Sequence, residues 1–372
     1  MQNKAIKIIV LFVEPMLYGM DLIREVYERT EYEFKYLYCY QGLTGKDGLE
    51  LPKNSYLNSG NKRERRRNLL REIENFKPDF MVINGYVGLE QTISIRYCQK
   101  NKIPYAIETD TPLHIPENVI KAYLKKKYLS KMLGNEHCYG FPGGTLQKEN
   151  LTYYGIPEER CFIMPMSVSE KRLLDASRQL PDKSELKKKY GLENKKVFLF
   201  VGRLEKAKNV ELLIQAFEEL KKEREEIALI IVGAGTEADN LKQYVVMNGV
   251  KDIFFAGYVL FPEIVQFYKV ADVFVLPSVY EPWGLVVNEA MTIGLGTILS
   301  SSVGCRKDLL IDGKNGFVFE SGSKSSLVQK MKAILDEESI SFWENAKKKM
   351  DEWNYAYYLR CFEGAIKDVV KD

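Results

Sequence analysis

The stretch Val197-Phe198-Leu199-Phe200-Val201-Gly202-Arg203-Leu204-Glu205-Lys206-Ala207-Lys208-Asn209 decides the reading of the fold. Five apolar residues in a row read as a strand buried on both faces. A glycine and three basic residues follow as a loop. Behind Asn209, read as an N-cap, Val210, Leu213, Ile214, Phe217 and Leu220 recur at helical spacing, with Glu218, Glu219, Lys221 and Lys222 on the other side. Strand, loop and helix in this order form one βα unit.

The same alternation runs outward in both directions. Residues 228–232, 253–255, 273–276 and 297–300 read as further strands of this sheet, and 6–12, 80–83 and 105–107, with 33–40 as a further candidate, as strands of a first one. The fold class is therefore α/β, with a doubly wound parallel sheet in each half. Two such domains facing one another form a cleft lined by the carboxyl ends of strands, where ligands bind near helix N-termini. We place an N-terminal domain at 1–170 and a C-terminal domain at 171–352, joined through the polar stretch 169–190 with its Pro181. An aromatic-rich tail helix at about 353–372 is read as packing back onto the N-terminal domain.

The bulk properties agree with two soluble domains. A chain of 372 residues exceeds one ordinary core. A net charge of +3 gives no whole-molecule field for nucleic acid. The apolar run 6–12 is too short to span a membrane and no small-residue cleavage site follows it, so the expected location is cytoplasmic. Six scattered cysteines without a Cys-x-x-Cys pair read as free core thiols. Two histidines, His114 and His137, give no zinc constellation.

Two loops concentrate chemistry. In 202–209, Gly202 allows close backbone approach, Arg203 offers a fork of donors and Lys208 a point charge. Together they can grip a diphosphate; a plain βα loop with solvated basic residues is the other reading. The second loop reads Tyr280-Glu281-Pro282-Trp283-Gly284-Leu285-Val286-Val287-Asn288-Glu289. Gly284 marks a turn into a helix whose first amides, on Leu285 and Val286, can meet an anion. Glu281 in the loop and Glu289 in the helix can each accept hydrogen bonds from vicinal hydroxyls. Read blandly, they are a loop charge and a helix-face charge.

These segments resemble the C-terminal domain of glycosyltransferase family 4, which has the GT-B fold of two Rossmann-like domains. Glu281 to Glu289 matches the family's E-x7-E motif. Ile231-Val232-Gly233-Ala234-Gly235, Ala256-Gly257-Tyr258-Val259 and Asp312-Gly313-Lys314-Asn315-Gly316-Phe317-Val318 fall in the family's order and spacing. The resemblance runs from about Val197 to Val328. It implies a retaining transfer from a nucleoside-diphosphate sugar, UDP first and GDP next, without a metal or other cofactor. Arg203 and Lys208 would bind the diphosphate and Glu289 the ribose. Glu281, with the amides of Gly284, Leu285 and Val286, would hold the sugar and distal phosphate. The backbone around Tyr258 and Val259 would read the base, and Gly233 belongs to the same donor site. The acceptor would be a glycan or glycolipid in cell-surface polysaccharide synthesis.

The N-terminal half departs from the family pattern. In place of a Gly-Gly loop after the first strand it has Glu14-Pro15-Met16-Leu17-Tyr18-Gly19-Met20, leaving Gly19 for close approach to phosphate. In place of the usual histidine it has Glu108-Thr109-Asp110-Thr111-Pro112, with His114 beyond. Asp110, Glu108 and His114 are the candidates to face the reacting sugar. Glu108 and Asp110 could also be read as a metal motif of the other glycosyltransferase fold, but Arg203 and Lys208 already supply neutralising charge.

Basic residues cluster at 62–67 and, interleaved with Tyr123, Leu124, Tyr128 and Leu129, at 121–131. They read either as solvated helix faces or as peripheral contact with the inner face of a membrane. Three other functions compete for the same sequence. A sugar-nucleotide epimerase of the same fold uses more acidic and histidine residues, a non-catalytic sugar-nucleotide-binding subunit would bind without turnover, and a nicotinamide enzyme needs a G-x-G-x-x-G that residues 14–20 lack.

Overall fold

The computed structural model describes residues 5–40, 50–337 and 341–370; the first four residues of the expected N-terminal domain and the last two of the expected tail helix lie outside them. The chain divides into two compact units, Met1–Ser169 with Asn354–Asp372, and Glu170–Trp353.

In the first unit, the strands are β1 (Lys7–Phe12), β2 (Glu33–Tyr38), β3 (Ser55–Leu57), β4 (Phe80–Asn84), β5 (Tyr105–Thr109) and β6 (Cys138–Pro142). All pair in parallel, in the order β3-β2-β1-β4-β5-β6. Helices α1 (Leu17–Glu25), α2 (Lys62–Phe76), α3 (Leu89–Asn101) and α4 (Val119–Leu133) lie in the connections between them, and α5 (Thr145–Tyr153) follows β6. Leu69 and Ile73 of α2, Ile95 and Cys98 of α3, and Leu129 and Leu133 of α4 share one core with Ile9, Leu11, Met81 and Ile83, so these helices cover one face of the sheet.

The second unit opens with α6 (Glu170–Arg178) and α7 (Lys183–Lys189). Its strands are β7 (Lys196–Val201), β8 (Ile227–Val232), β9 (Ile253–Gly257), β10 (Val273–Leu276), β11 (Gly296–Ser300) and β12 (Gly316–Phe319), in the parallel order β12-β11-β10-β7-β8-β9. The helices are α8 (Val210–Lys221), α9 (Ala238–Met247), α10 (Val265–Val270), α11 (Leu285–Ile293), α12 (Arg306–Leu309), α13 (Lys324–Asp336) and α14 (Phe342–Glu352). Renumbered from its own start, this sheet has the strand order of the first. In each, the order reverses between the first and fourth strands, which is where such sheets open a ligand crevice.

The tail forms α15 (Tyr355–Val369), whose Tyr355, Tyr358, Phe362, Ala365 and Ile366 join Ile8, Val10, Tyr27 and Phe34 on the other face of the first sheet.

Three details differ from the sequence reading. Strands β3, β6 and β12 were not expected. All three are edge strands, which are shorter or broken by glycine and proline because one side needs no partner. The polar stretch 169–190 is mostly the helices α6 and α7, each anchored by a buried leucine, Leu173 and Leu186. Asn209 precedes α8 but makes no side-chain cap, because its backbone is left-handed (φ 50°) whereas a capping residue is extended.

Candidate functional site

The switch point of the second sheet lies between β7 and β10, and both loops singled out by sequence leave the sheet there. The backbone ties them together: the Val279 amide donates to the Ala207 carbonyl at 2.9 Å. The side chains do the same, since Lys208 is ion-paired with Glu281. Both side chains are mostly withdrawn from solvent, which strengthens the pair relative to a surface one. Arg203 is exposed on the same loop as Lys208.

The loop bearing Glu281 is held from below. The Gly304 amide donates to the Glu281 carbonyl at 2.9 Å, the Cys305 amide to the Trp283 carbonyl at 3.1 Å, and Ser300 Oγ to the Ser278 carbonyl at 2.5 Å. Trp283 is buried, donates from Nε1 to Asn288 Oδ1 at 2.9 Å and stacks on Trp353 at 5.8 Å between ring centroids. Gly284 then turns the chain into α11 with φ 98°, a conformation that favours glycine, and no side chain caps the helix. Leu285 and Val286 are half-buried in its first turn, where amides lack intrahelical acceptors and the helix dipole is positive. Lys208 thus pairs with Glu281, and Glu281 lies beside the start of α11, where a Cβ on Gly284 would sit 3.3 Å from Glu281 Cγ; a carboxylate, a lysine and a helix N-terminus are groups that can hold a diphosphate and hydroxyls.

Glu289, two turns into α11 at most, is half-buried and accepts a 2.6 Å hydrogen bond from Tyr268 of α10 on Oε2. Burial drives the Tyr268 phenol well above its ordinary value, and the Glu289 charge adds to this, so Tyr268 stays a donor. Nothing in the sequence flags Tyr268, since its partner lies on another helix.

Gly233 has a structural reason of its own. A Cβ there would sit 1.8 Å from the Gly202 carbonyl oxygen. The loops after β7 and β8 are zipped by the Gly202 to Val232 and Leu204 to Ala234 backbone bonds of 3.0 and 2.9 Å, and the Gly233 amide donates to the Gly257 carbonyl at the end of β9 at 2.7 Å. Tyr258, exposed, and Val259, half-buried, follow directly after Gly257. The stretch 312–318 is a turn leading into β12: buried Asn315 accepts from the Ile311 amide and donates to the Leu309 carbonyl, and a Cβ on Gly316 would meet the Thr297 carbonyl at 1.9 Å.

The first unit has its own cavity of about 480 Å³ at the carboxyl ends of β1, β4 and β5. Phe12, Met16, Tyr18, Tyr86, Met164 and Met166 give it apolar walls, and Tyr355 and Tyr358 of α15 complete it. Glu14, Glu108 and Asp110 line it, and among the described residues no lysine, arginine or histidine does. Glu108 is held by Asn84, its register partner on β4, and by Tyr358, whose hydroxyl lies 3.2 Å from that of Tyr27. Burial raises the Glu108 carboxyl above its ordinary range. Burial also raises the Tyr18 phenol, with Asp110, Glu108 and Glu14 contributing through their charges. Asp110 is exposed at the rim and accepts from Thr111 Oγ1 at 3.4 Å. His114 is exposed and is not among the lining residues.

Gly19 departs from its expected setting. It lies in the first turn of α1 rather than in a loop, and a Cβ there would meet only the Phe12 ring, at 3.9 Å. Asn84 was missed, although a polar residue ending an apolar strand at the switch point is a signal the sequence carries.

Residues 182–355 match the family of glycosyl transferases group 1. An uncharacterized glycosyltransferase of Methanocaldococcus jannaschii is 30% identical over 212 residues, 56% of this chain and 54% of that protein. The chain spans about half the length of the curated relatives it matches. Among solved structures, a glycosyltransferase from Rickettsia africae superposes with a TM-score of 0.80 at 16% identity, covering 100% of both chains. Anabaena HepE, solved with UDP and glucose, does so with a TM-score of 0.75 at 16% identity, covering 98% of this chain and 100% of that one. The two domains have the Rossmann-like architecture of GT-B glycosyltransferases, and residues 182–355 carry the sequence pattern of group 1. Among the described residues no helix is long and apolar enough to cross a membrane.

Proposed function

We propose that this protein is a retaining glycosyltransferase of family 4. It takes a sugar from a nucleoside diphosphate, UDP by preference and GDP next, and passes it to a glycan or glycolipid acceptor in cell-surface polysaccharide synthesis. The observation that carries the reading is the Lys208–Glu281 pair set beside the N-terminus of α11, inside the stretch that matches the group 1 family. Lys208, Arg203 and the helix dipole neutralise the charge that builds on the departing diphosphate. Glu281 and the amides of Gly284, Leu285 and Val286 hold the sugar, Glu289 holds the ribose, and the backbone at Tyr258 and Val259 meets the base. The reaction needs no metal, because these groups supply the positive field. The UDP in solved HepE supports the choice of base.

The acidic, aromatic-walled cavity of the first unit takes the acceptor. Its carboxylates accept bonds from hydroxyls and repel phosphate, so the reacting end of the acceptor is a neutral polyol. Asp110, at the rim, faces the reacting sugar. The protein works in the cytoplasm, peripherally at the inner face of the membrane.

The test is a thermal-shift and calorimetric screen against UDP, GDP, ADP and CMP and their sugar conjugates, with and without EDTA. Selective binding of one nucleoside diphosphate, indifferent to EDTA, with transfer or slow hydrolysis of its sugar conjugate, is expected. Binding without any turnover would favour a non-catalytic subunit, and no nucleotide binding would overturn the donor site.

A further inference from the structure

A second cavity, of about 710 Å³, opens at the other end of the second sheet. Lys196, Val273 and Gly296, the first residues of β7, β10 and β11, line it. It therefore lies at the amino ends of strands whose carboxyl ends lead to Lys208 and Glu281. Its volume is that of a small-molecule site.

The walls carry an excess of positive charge. Lys183, Lys196 and Lys269 line the cavity with Asp272 and Glu337, and among the described residues no other charged side chain does. Asp272 is already neutralised: Lys183 and Lys187 each pair with it at 2.8 Å, and the Val197 amide donates to it at 2.8 Å. Lys183 also donates to the Ala271 carbonyl at 2.5 Å, and Lys269 to the Ser177 and Leu180 carbonyls at 2.8 and 3.1 Å. An ammonium has three N–H groups, so each of these two keeps one more to give. Lys196 is exposed. Burial lowers the Lys183 ammonium below its ordinary value, Asp272 offsets part of this, and the charges of Lys187 and Lys196 lower it further. A phosphate among these lysines relieves their mutual repulsion and accepts their remaining bonds. The cavity is larger than a phosphate ion, and Ser177, Ser341 and Glu337 offer partners for the hydroxyls of an attached body.

Two elements join this cavity to the Glu281 loop. Helix α11 starts at Gly284 beside Glu281 and ends at Ile293 and Gly294 in the cavity wall, nine residues or about 13 Å along. Tyr268 of α10 also lines the cavity, and its hydroxyl donates to Glu289 of α11 at 2.6 Å. Lys269 follows Tyr268 in the chain, and Lys183 holds Ala271 at the end of the same helix. A ligand bound to both lysines thus fixes the end of α10 that carries Tyr268.

We propose that this cavity binds a small phosphorylated polyol, and that its occupancy tightens the hold on the nucleotide through Tyr268 and Glu289. The binding stands by itself; the coupling rests on the donor-site reading above. Linkage makes the effect reciprocal, so the nucleotide must tighten the phosphorylated polyol by the same factor.

The experiment is calorimetric titration of the whole chain with glucose 6-phosphate and with glycerol 3-phosphate, alone and at saturating UDP, for the parent, Lys196→Glu and Tyr268→Phe. The parent is expected to bind at least one of the two. Lys196→Glu should weaken that binding about tenfold or more, while its melting shift with UDP alone stays parental and reports an intact fold and donor site. UDP should tighten the binding about fivefold in the parent, and Tyr268→Phe should remove that gain while still binding the sugar phosphate. No binding of either compound by the parent, or parental binding by Lys196→Glu, would overturn the site. Weaker binding in the presence of UDP would place the compound in the donor site instead, and equal binding with and without UDP would overturn the coupling. Binding that depends on Lys196 in a parent that fails to bind UDP would sink the donor-site reading and leave the cavity's ligand in place.

Discussion

The Tyr358 hydroxyl donates a 2.7 Å hydrogen bond to Oε1 of Glu108, across 250 positions of sequence. The bond fixes a carboxylate that burial disfavours, at the floor of the cavity assigned to the acceptor. Burial raises the Glu108 carboxyl, the bonds from Tyr358 and Asn84 pull it part of the way back, and the Asp110 charge raises it. A carboxyl raised on folding binds more protons in the folded state between its two values. Its contribution to stability is therefore fully present below the unfolded value of 4.5 and is lost as the pH rises through the folded one. Tyr358→Phe removes a bond that favours the charged form and deepens that loss, by about 1.5–3 kcal/mol for a bond to a charged group. The melting-temperature gap between variant and parent should widen as the pH is raised from about 4 towards about 8. A gap independent of pH would remove Glu108 as the cause.

Lys208→Ala and Glu281→Ala should each lower donor turnover by about two orders of magnitude or more, the size of effect seen when one preorganised charge-stabilising group is lost. Both variants should remain folded by circular dichroism, since the loop bearing Glu281 keeps its backbone bonds to Gly304 and Cys305. Near-parental turnover in both would end the donor-site assignment.

Tyr268→Phe keeps the ring against Phe274 and removes only the donor to Glu289. The carboxylate loses its orientation, so UDP should bind about 5- to 10-fold more weakly by calorimetry, the scale of one lost hydrogen bond. The effect should appear in KM for the donor rather than in kcat. A fall in kcat alone would mean that Glu289 acts on the sugar and not on the ribose.

Gly233→Ala and Gly19→Ala separate two kinds of glycine. At Gly233, with φ 141°, the new methyl would meet the Gly202 carbonyl at 1.8 Å, and the zipped loops must part. A loss of about 3 kcal/mol or more is expected, within the range of backbone-strain mutations. At Gly19, helical and open to within 3.9 Å of Phe12, alanine should leave stability unchanged or raise it by about 0.5–1 kcal/mol. Unaltered transfer by Gly19→Ala would remove that residue from phosphate binding.

The two loops of the C-terminal candidate site were legible as strand–loop–helix units because each is local. Strand β7, its loop and α8 are contiguous, as are β10, the Glu281 loop and α11, so period and spacing alone place Lys208 and Glu281 at strand ends. Their direct pairing was not legible, since it depends on the side-by-side placement of β7 and β10, which are 75 positions apart at their contacts Phe198–Val273 and Leu199–Phe274 and lack any shared sequence signal. The same limit hid Tyr268 and Tyr358, whose partners lie on other elements. Strands β3, β6 and β12 were hidden for another reason: an edge strand needs only one hydrogen-bonded neighbour and so tolerates Gly140, Pro142 and Gly316.

Phe362 of α15 is buried among Tyr27, Phe34, Phe141 and Tyr358, with ring centroids 5.1, 6.2, 6.2 and 6.3 Å away. Its loss as Phe362→Ala should cost about 3–5 kcal/mol, measured by denaturant unfolding of the whole chain.

That packing also sets an order of events during synthesis. Residues 170–353 form a unit continuous in sequence and can close as soon as they leave the ribosome. The sheet that emerges before them keeps Ile8, Val10 and Phe34 partly uncovered until α15 arrives, after the intervening unit has been made. Of the two units, the one translated first is thus finished last, and in that interval its bare face is open to chaperones, proteases and aggregation.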